Sequence, residues 1–122
     1  MTTYAIPLPW PKPPLTSNRT RGNPYARAKE VAAARDAARW AIRGLRLTVT
    51  PPVEVSLHLR QATRHRRDSD GLYPTLKAVL DALVLEGVLP DDSWQYVPAT
   101  RCAIHAPNGE PAAMWAEIKE LR

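Results

Sequence analysis

The segment PPVEVSLHLR, Pro51 to Arg60, alternates without a break. Val53, Val55, Leu57 and Leu59 fall on one face, and Glu54, Ser56 and His58 on the other. A period of two belongs to a strand, and an apolar face on one side only belongs to a half-buried sheet. That strand needs neighbours for its backbone and a second layer over its apolar face. On the polar face, His58 is expected at the surface rather than in a catalytic role.

The remaining elements follow from punctuation and period. Tyr4 to Leu8 reads as a short first strand. PWPKPPLTSNRTRGNP (Pro9 to Pro24) is loop: its five prolines remove backbone donors and fix φ. It carries Lys12, Arg19 and Arg21, a basic arm as a whole. Asn23-Pro24 supplies an N-cap and a proline for the first helical position, and the helix is predicted to run to about Leu45. Val31, Ala34, Ala38, Ala41, Ile42 and Leu45 mark its buried face. Arg35, Arg39, Arg43 and Arg46 form a stripe beside it, most without an acid four positions away, which leaves a phosphate-facing role open. A second helix is predicted from about Pro74 to Glu86, with Leu76, Val79, Leu80 and Leu83 inward and Gly87 as its C-cap. Two further strands are read in WQYVPATRCAIHA and AAMWAEIKEL, the second with a short helix as its alternative, joined by PNGE (Pro107 to Glu110), where Asn108-Gly109 predicts a tight hairpin. The order is strand, helix, strand, helix, strand, strand. It predicts one α+β domain over residues 1–122, a mixed sheet of about four strands with two main helices packed on it.

A chain of 122 residues suits one domain, and at 44% hydrophobic it can bury a small core. Its first residues, broken by prolines, lack the apolar run of a signal peptide. No stretch reaches the length of a membrane span. Cys102 is the only cysteine, so no internal disulfide forms, which fits a reducing cytoplasm. The balance of 17 Lys+Arg against 12 Asp+Glu gives +5, a charge suited to nucleic acid and also to solubility alone.

The segment RHRRDSDGLYPTLKAVLDALVLEGVLPDDS (Arg64 to Ser93) gathers opposed charges around an apolar helix. Arg64, His65, Arg66 and Arg67 precede Asp68 and Asp70. In an extended chain residues i and i+2 face the same way, so both carboxylates would face one site. Asp91 and Asp92 follow the second helix and approach Asp68 only if the chain turns back alongside the 53–60 strand. Gathered carboxylates repel unless a cation intervenes. Oxygen donors suit Mg²⁺, with Mn²⁺ as a substitute; the lone cysteine and three histidines without ligand spacing argue against a softer metal. Lys77, one turn into the helix, is placed either to stabilise a phosphate or to pair with Asp81 at i+4.

In combination (basic run, D-x-D, helix with an early lysine, then D-D) the segment resembles the core motif of the RusA family of Holliday junction resolvases. IPLPWPKPPLTSNR resembles that family's opening, and the likeness extends from about Tyr4 to Leu121. It implies a small homodimeric, Mg²⁺-dependent endonuclease that binds branched DNA, chiefly four-way junctions, and cuts two strands symmetrically in recombination and repair. It implies a cytoplasmic setting, in a bacterial or phage-infected cell. The family's catalytic acids map to Asp68, Asp70 and Asp92, its lysine to Lys77, and Asp91 is a neighbouring acid at the metal. Arg66 and Arg67 fall at its basic positions. With Arg64, Arg19, Arg21, Arg35 and Arg39 they are the candidate DNA contacts. Two departures stand out: Gly71 occupies a position where the family commonly has asparagine, and the link from Asp70 to Lys77 is longer than in compact members. The alternatives are a non-catalytic branched-DNA-binding module and a broader flap or fork nuclease.

Overall fold

The computed structural model describes residues 2–15 and 24–122. It is an α+β fold: β1 (Thr3–Leu8), α1 (Pro24–Arg43), β2 (Val53–Arg60), a 3₁₀ turn (Ser69–Leu72), α2 (Tyr73–Leu85), β3 (Ala99–His105) and β4 (Ala113–Glu120). The four strands form one mixed sheet in the order β1-β4-β2-β3. β2 pairs antiparallel with β4 and parallel with β3, and β1 pairs antiparallel with β4.

The alternating segment becomes the sheet's inner strand, and Val53, Val55, Leu57 and Leu59 are all buried. They meet Ile6, Met114, Ala116 and Ile118 from other strands and Ala38, Ile42, Leu76, Val79 and Leu83 from the helices. Both helices therefore cover one face of the sheet. Ala34, Ala38 and Ala82 are buried, and such small side chains let the two helices approach closely.

The predicted hairpin between β3 and β4 does not form, because β2 lies between them. Asn108-Gly109 does turn the chain: Gly109 has φ +88°, and the Glu110 amide donates to Asn108 Oδ1 at 3.0 Å. The turn belongs to a connection across the end of β2, which the seven residues 106–112 are long enough to make. The burial pattern of β2 explains the preference. As an apolar central strand it requires a neighbour on each side, and insertion between β3 and β4 supplies both.

The first helix ends at Arg43, two residues before the expected Leu45, which is 41% exposed. Arg46, at φ +50°, takes the chain out of helical conformation. The Asn23 cap, with Arg19 and Arg21, lies outside the described residues. At the other helix end the expectation holds: Gly87 has φ +77°, its amide donates to the Val84 carbonyl at 3.0 Å, and the Val88 amide donates to that of Leu83 at 2.9 Å. These two bonds close a Schellman motif and reverse the chain.

The proline-rich loop is pinned to α2. Leu15 is buried; its amide donates to Thr75 Oγ1 at 3.3 Å and its carbonyl accepts from the same hydroxyl at 2.9 Å. Thr75→Val keeps the shape but leaves two buried backbone groups unpaired. It is expected to cost about 1–3 kcal/mol in urea unfolding; unchanged stability would show that the loop is not anchored there.

Candidate functional site

The candidate residues come from α2 and from the two connections that join it to β2 and to β3. After β2 the chain leaves through the basic run. Gln61, buried, donates from Nε2 to the His65 carbonyl at 3.2 Å and accepts from Arg67 Nε at 3.3 Å. Gln61 thus braces a loop whose Arg64, His65 and Arg66 face solvent. Its partners lie only four and six residues along the chain, yet no residue pattern there marks the brace. Arg64 and His65, with Gln61, Ile104, His105 and Pro107, line an open cavity of about 430 Å³.

Asp68 and Asp70 are not in an extended chain as expected. Asp68 is extended (φ −92°, ψ 138°), but Asp70 lies inside the 3₁₀ turn. The Gly71 amide, at the position where asparagine was anticipated, donates to the Asp68 carbonyl at 3.2 Å. The two carboxylates nevertheless line one open cavity of about 650 Å³, with Arg67, Cys102, Ala103 and Ile104. Asp68's carboxylate makes no capping bond to the turn and so is not used up by the local fold. Burial pushes the Cys102 thiol up to about 11, which keeps it protonated at neutral pH and poorly suited as a ligand or nucleophile. The long link between Asp70 and Lys77 is helical, made of the 3₁₀ turn and the first turn of α2.

Asp91 and Asp92 lie on a different cavity, of about 280 Å³, with Lys77, Asp81, Arg35 and Leu85. The reversal at Gly87 sends the chain back along α2, so that Asp92 meets Lys77 rather than Asp68. Lys77 Nζ donates to Asp92 Oδ2 at 2.7 Å and stands 3.1 Å from Asp81 Oδ1. The i,i+4 pair with Asp81 forms as the spacing predicts, and the shorter contact, to Asp92, has no counterpart in helical spacing. The bond to Asp92 first, and the nearby Asp81, hold the Lys77 ammonium above its usual 10.5 despite partial burial. The same bond holds the Asp92 carboxyl below its usual 3.8. At neutral pH the pair is fully ionised.

Among the described residues no group of three or more His, Cys, Asp or Glu is arranged to hold a metal ion. Asp68 and Asp70 fit a hard cation on other grounds: they are two oxygen donors on one open cavity, and Mg²⁺ takes only one or two carboxylates directly. Asp92 is engaged with Lys77 instead.

The arginine stripe of α1 is partly occupied. Glu86, at the end of α2, accepts from Arg39 Nε at 2.8 Å and from Arg43 Nε and Nη2, each at 2.9 Å. Arg43 first and Arg39 next draw its carboxyl down to about 2. The acid absent from the helix's own i+4 positions comes from the neighbouring helix. Arg35 points to the Lys77 cavity.

His58 is a correction. It lies on the polar side of β2, but it is buried at 4% exposure. Its Nε2 lies 2.9 Å from Ser56 Oγ and its Nδ1 2.9 Å from His105 Nε2. Its ring stacks on Trp115, its partner across β4, at 5.3 Å between centroids. Glu117 Oε1 lies 3.7 Å from Nε2. Alternation identifies the side of the strand, but only the register brings up the rings that cover it. Desolvation, with His105 and Arg101 in support and Glu117 opposing, lowers the His58 pKa below 6.5. A base whose pKa is lowered by folding stabilises the fold above its unfolded value. That stability is lost as pH falls from about 6.5 through the lower folded value. The Tm should therefore drop between pH 7.5 and 5.5, and His58→Gln should flatten that drop; an equal slope in the variant would remove His58 from the account.

No family model matches the chain, and no curated protein matches it. No helix among the described residues is long and apolar enough to cross a membrane.

Proposed function

We propose that this chain is a RusA-type, metal-dependent endonuclease that binds and symmetrically cleaves branched DNA, chiefly four-way junctions, in a cytoplasmic setting. The observation that carries the reading is the Lys77–Asp92 contact at 2.7 Å, which ties the helix of the D-x-D segment to the D-D segment. Lys77 and Asp92 lie 15 residues apart in the chain, and the resemblance gives both a place at the site.

On this reading Asp68 and Asp70 hold Mg²⁺, or Mn²⁺ in its stead, while Asp91 and Asp92 act from the separate Lys77 cavity. When bound, the ion supplies Lewis-acid charge and an acidified water. The chain's own groups do the rest. Lys77 keeps its proton, so it acts as a fixed positive charge beside the phosphate and not as a base. Arg67, bordering the Asp68–Asp70 cavity, counters phosphate charge. Arg64 and Arg66, both exposed, with Arg35, Arg19 and Arg21, engage the DNA backbone. Arg39, tied to Glu86, adds to the longer-range field. Two cuts related by a two-fold axis call for a homodimer with one site per protomer.

Asp70→Asn is expected to reduce Mg²⁺-dependent nicking of a labelled four-way junction by more than about a hundredfold, since even outer-shell partners of a metal matter on that scale. Binding should survive. Undiminished cleavage would sink the assignment.

One observation favours a second reading. Asp68 and Asp70 line one cavity and Asp91 and Asp92 another, and Asp92 is neutralised by Lys77. This suits a module that binds branched DNA without cutting it. That module would bind junctions with a steep salt dependence, give no nicks under any divalent ion, and be indifferent to Asp70→Asn.

A further inference from the structure

Trp94 lies two residues beyond Asp92 and is 75% exposed. It is not on a loose segment. Asp92 is fixed by Lys77, the Tyr96 and Val97 amides donate to the Ser93 carbonyl at 3.0 and 2.8 Å, and the Val53 amide donates to the Tyr96 carbonyl at 2.8 Å. The turn is thus clamped to α2 on one side and to the start of β2 on the other. A large aromatic ring carried into water on an anchored backbone is an unfavourable use of apolar surface unless something covers it.

The other strongly exposed indole is different. Trp40, 70% exposed, has the Arg43 guanidinium over its ring at 4.8 Å. Among the described residues no ring or cation is stacked on Trp94. In the chain it follows Asp91 and Asp92 closely, and Asp92 bonds Lys77. A flat, uncovered ring suits a nucleotide base, which offers it a π face to stack on. In a duplex those faces are already stacked. At a branch point they become available.

We propose that Trp94 is a positioning residue whose indole stacks on a base face exposed at the branch point and so sets which phosphate meets the Lys77–Asp92 pair. This rests on the branched-DNA reading above and deepens it. The test uses the full chain in EDTA with a synthetic four-way junction carrying 2-aminopurine at the branch point, and a matched duplex. Wild type and Trp94→Phe should both quench the 2-aminopurine signal. Trp94→Ala should lose the quenching and bind the junction about fivefold or more weakly, with duplex affinity and salt slope unchanged, because stacking and not a phosphate contact is removed. Trp40→Ala serves as the control of equal ring loss and should match wild type. Junction affinity and quenching unchanged in Trp94→Ala, while wild type binds, would overturn the stacking role alone. An equal loss in Trp40→Ala would overturn it too, since position would then not matter. Wild type without affinity for the junction would overturn the branched-DNA reading, and the stacking role with it.

Discussion

Lys77→Met is expected to lower junction cleavage by about 10²–10³-fold, the scale on which one preorganised charge at a phosphate counts, and to leave the fold intact. The side chain is 62% exposed, and an exposed ion pair contributes at most about 1 kcal/mol. Stability therefore hardly responds to the substitution, whichever role Lys77 has, and only activity discriminates. Without the ammonium, Asp81, Asp91 and Asp92 line their cavity with Arg35 as the remaining cation. The Asp92 carboxyl should then return toward its ordinary value, because the bond that holds it down is gone. Lys77→Arg should rescue only in part: a planar fork does not replace a compact point charge between two carboxylates. Since the Lys77 pKa lies above 10.5, its stabilising contribution is present at lower pH and is lost only as pH rises through that raised value. No basic limb from Lys77 should appear in the activity profile between pH 7 and 9. Full activity in Lys77→Met, or a limb near pH 8 that vanishes in it, would remove the proposed role.

Local signals carried much of the fold and little of its wiring. The alternation of Val53 to Leu59 and the glycine at position 87 act over a few residues, and each appears where the sequence predicts it. The order of the strands does not depend on neighbours in sequence. Asn108-Gly109 has the chemistry of a hairpin turn, yet β2 enters between the strands it joins, because pairing an apolar strand on both edges outweighs a local turn preference. The same distinction runs through the candidate site. The acids, the lysine and the basic run are legible as residue types at given spacings. Their contacts are not. Lys77 was legible as a partner of Asp81 from helical spacing alone, but its shorter contact, to Asp92, exists only because the Schellman turn sends the chain back along α2. His58 is buried by Trp115 across β4 and bonded to His105 of β3, neither of which lies near it in sequence. Arg39 and Arg43 find Glu86 on another helix. Where a side chain's partner is set by register or by the packing of two helices, the sequence names the candidates and the fold chooses among them.

Leu57→Ala should be the most damaging single truncation in the sheet. Leu57 is fully buried on β2, flanked by Cys102 on β3 and Ala116 on β4. Both cross-strand neighbours are small, so Leu57 fills space that neither could take over. It belongs to the cluster shared with Ile42, Leu76 and Leu83 of the two helices, so its loss opens a gap between the layers. Truncation of a buried leucine costs about 2–5 kcal/mol, the larger figures where the walls cannot collapse. Here one wall is a hydrogen-bonded sheet, and the upper half of that range is expected. Against a total of about 5–15 kcal/mol for a domain, that is a large share. In urea the midpoint should fall with little change in slope, as expected when stability changes without a change in the surface exposed on unfolding. The variant also separates stability from the site: Leu57 touches neither the Lys77–Asp92 cavity nor the Asp68–Asp70 cavity, so protein that remains folded at low temperature should bind a junction as wild type does. A loss below about 1 kcal/mol would mean that β2 is not the core strand. A loss of binding in folded protein would mean that the sheet positions the DNA contacts more directly than the lining residues indicate.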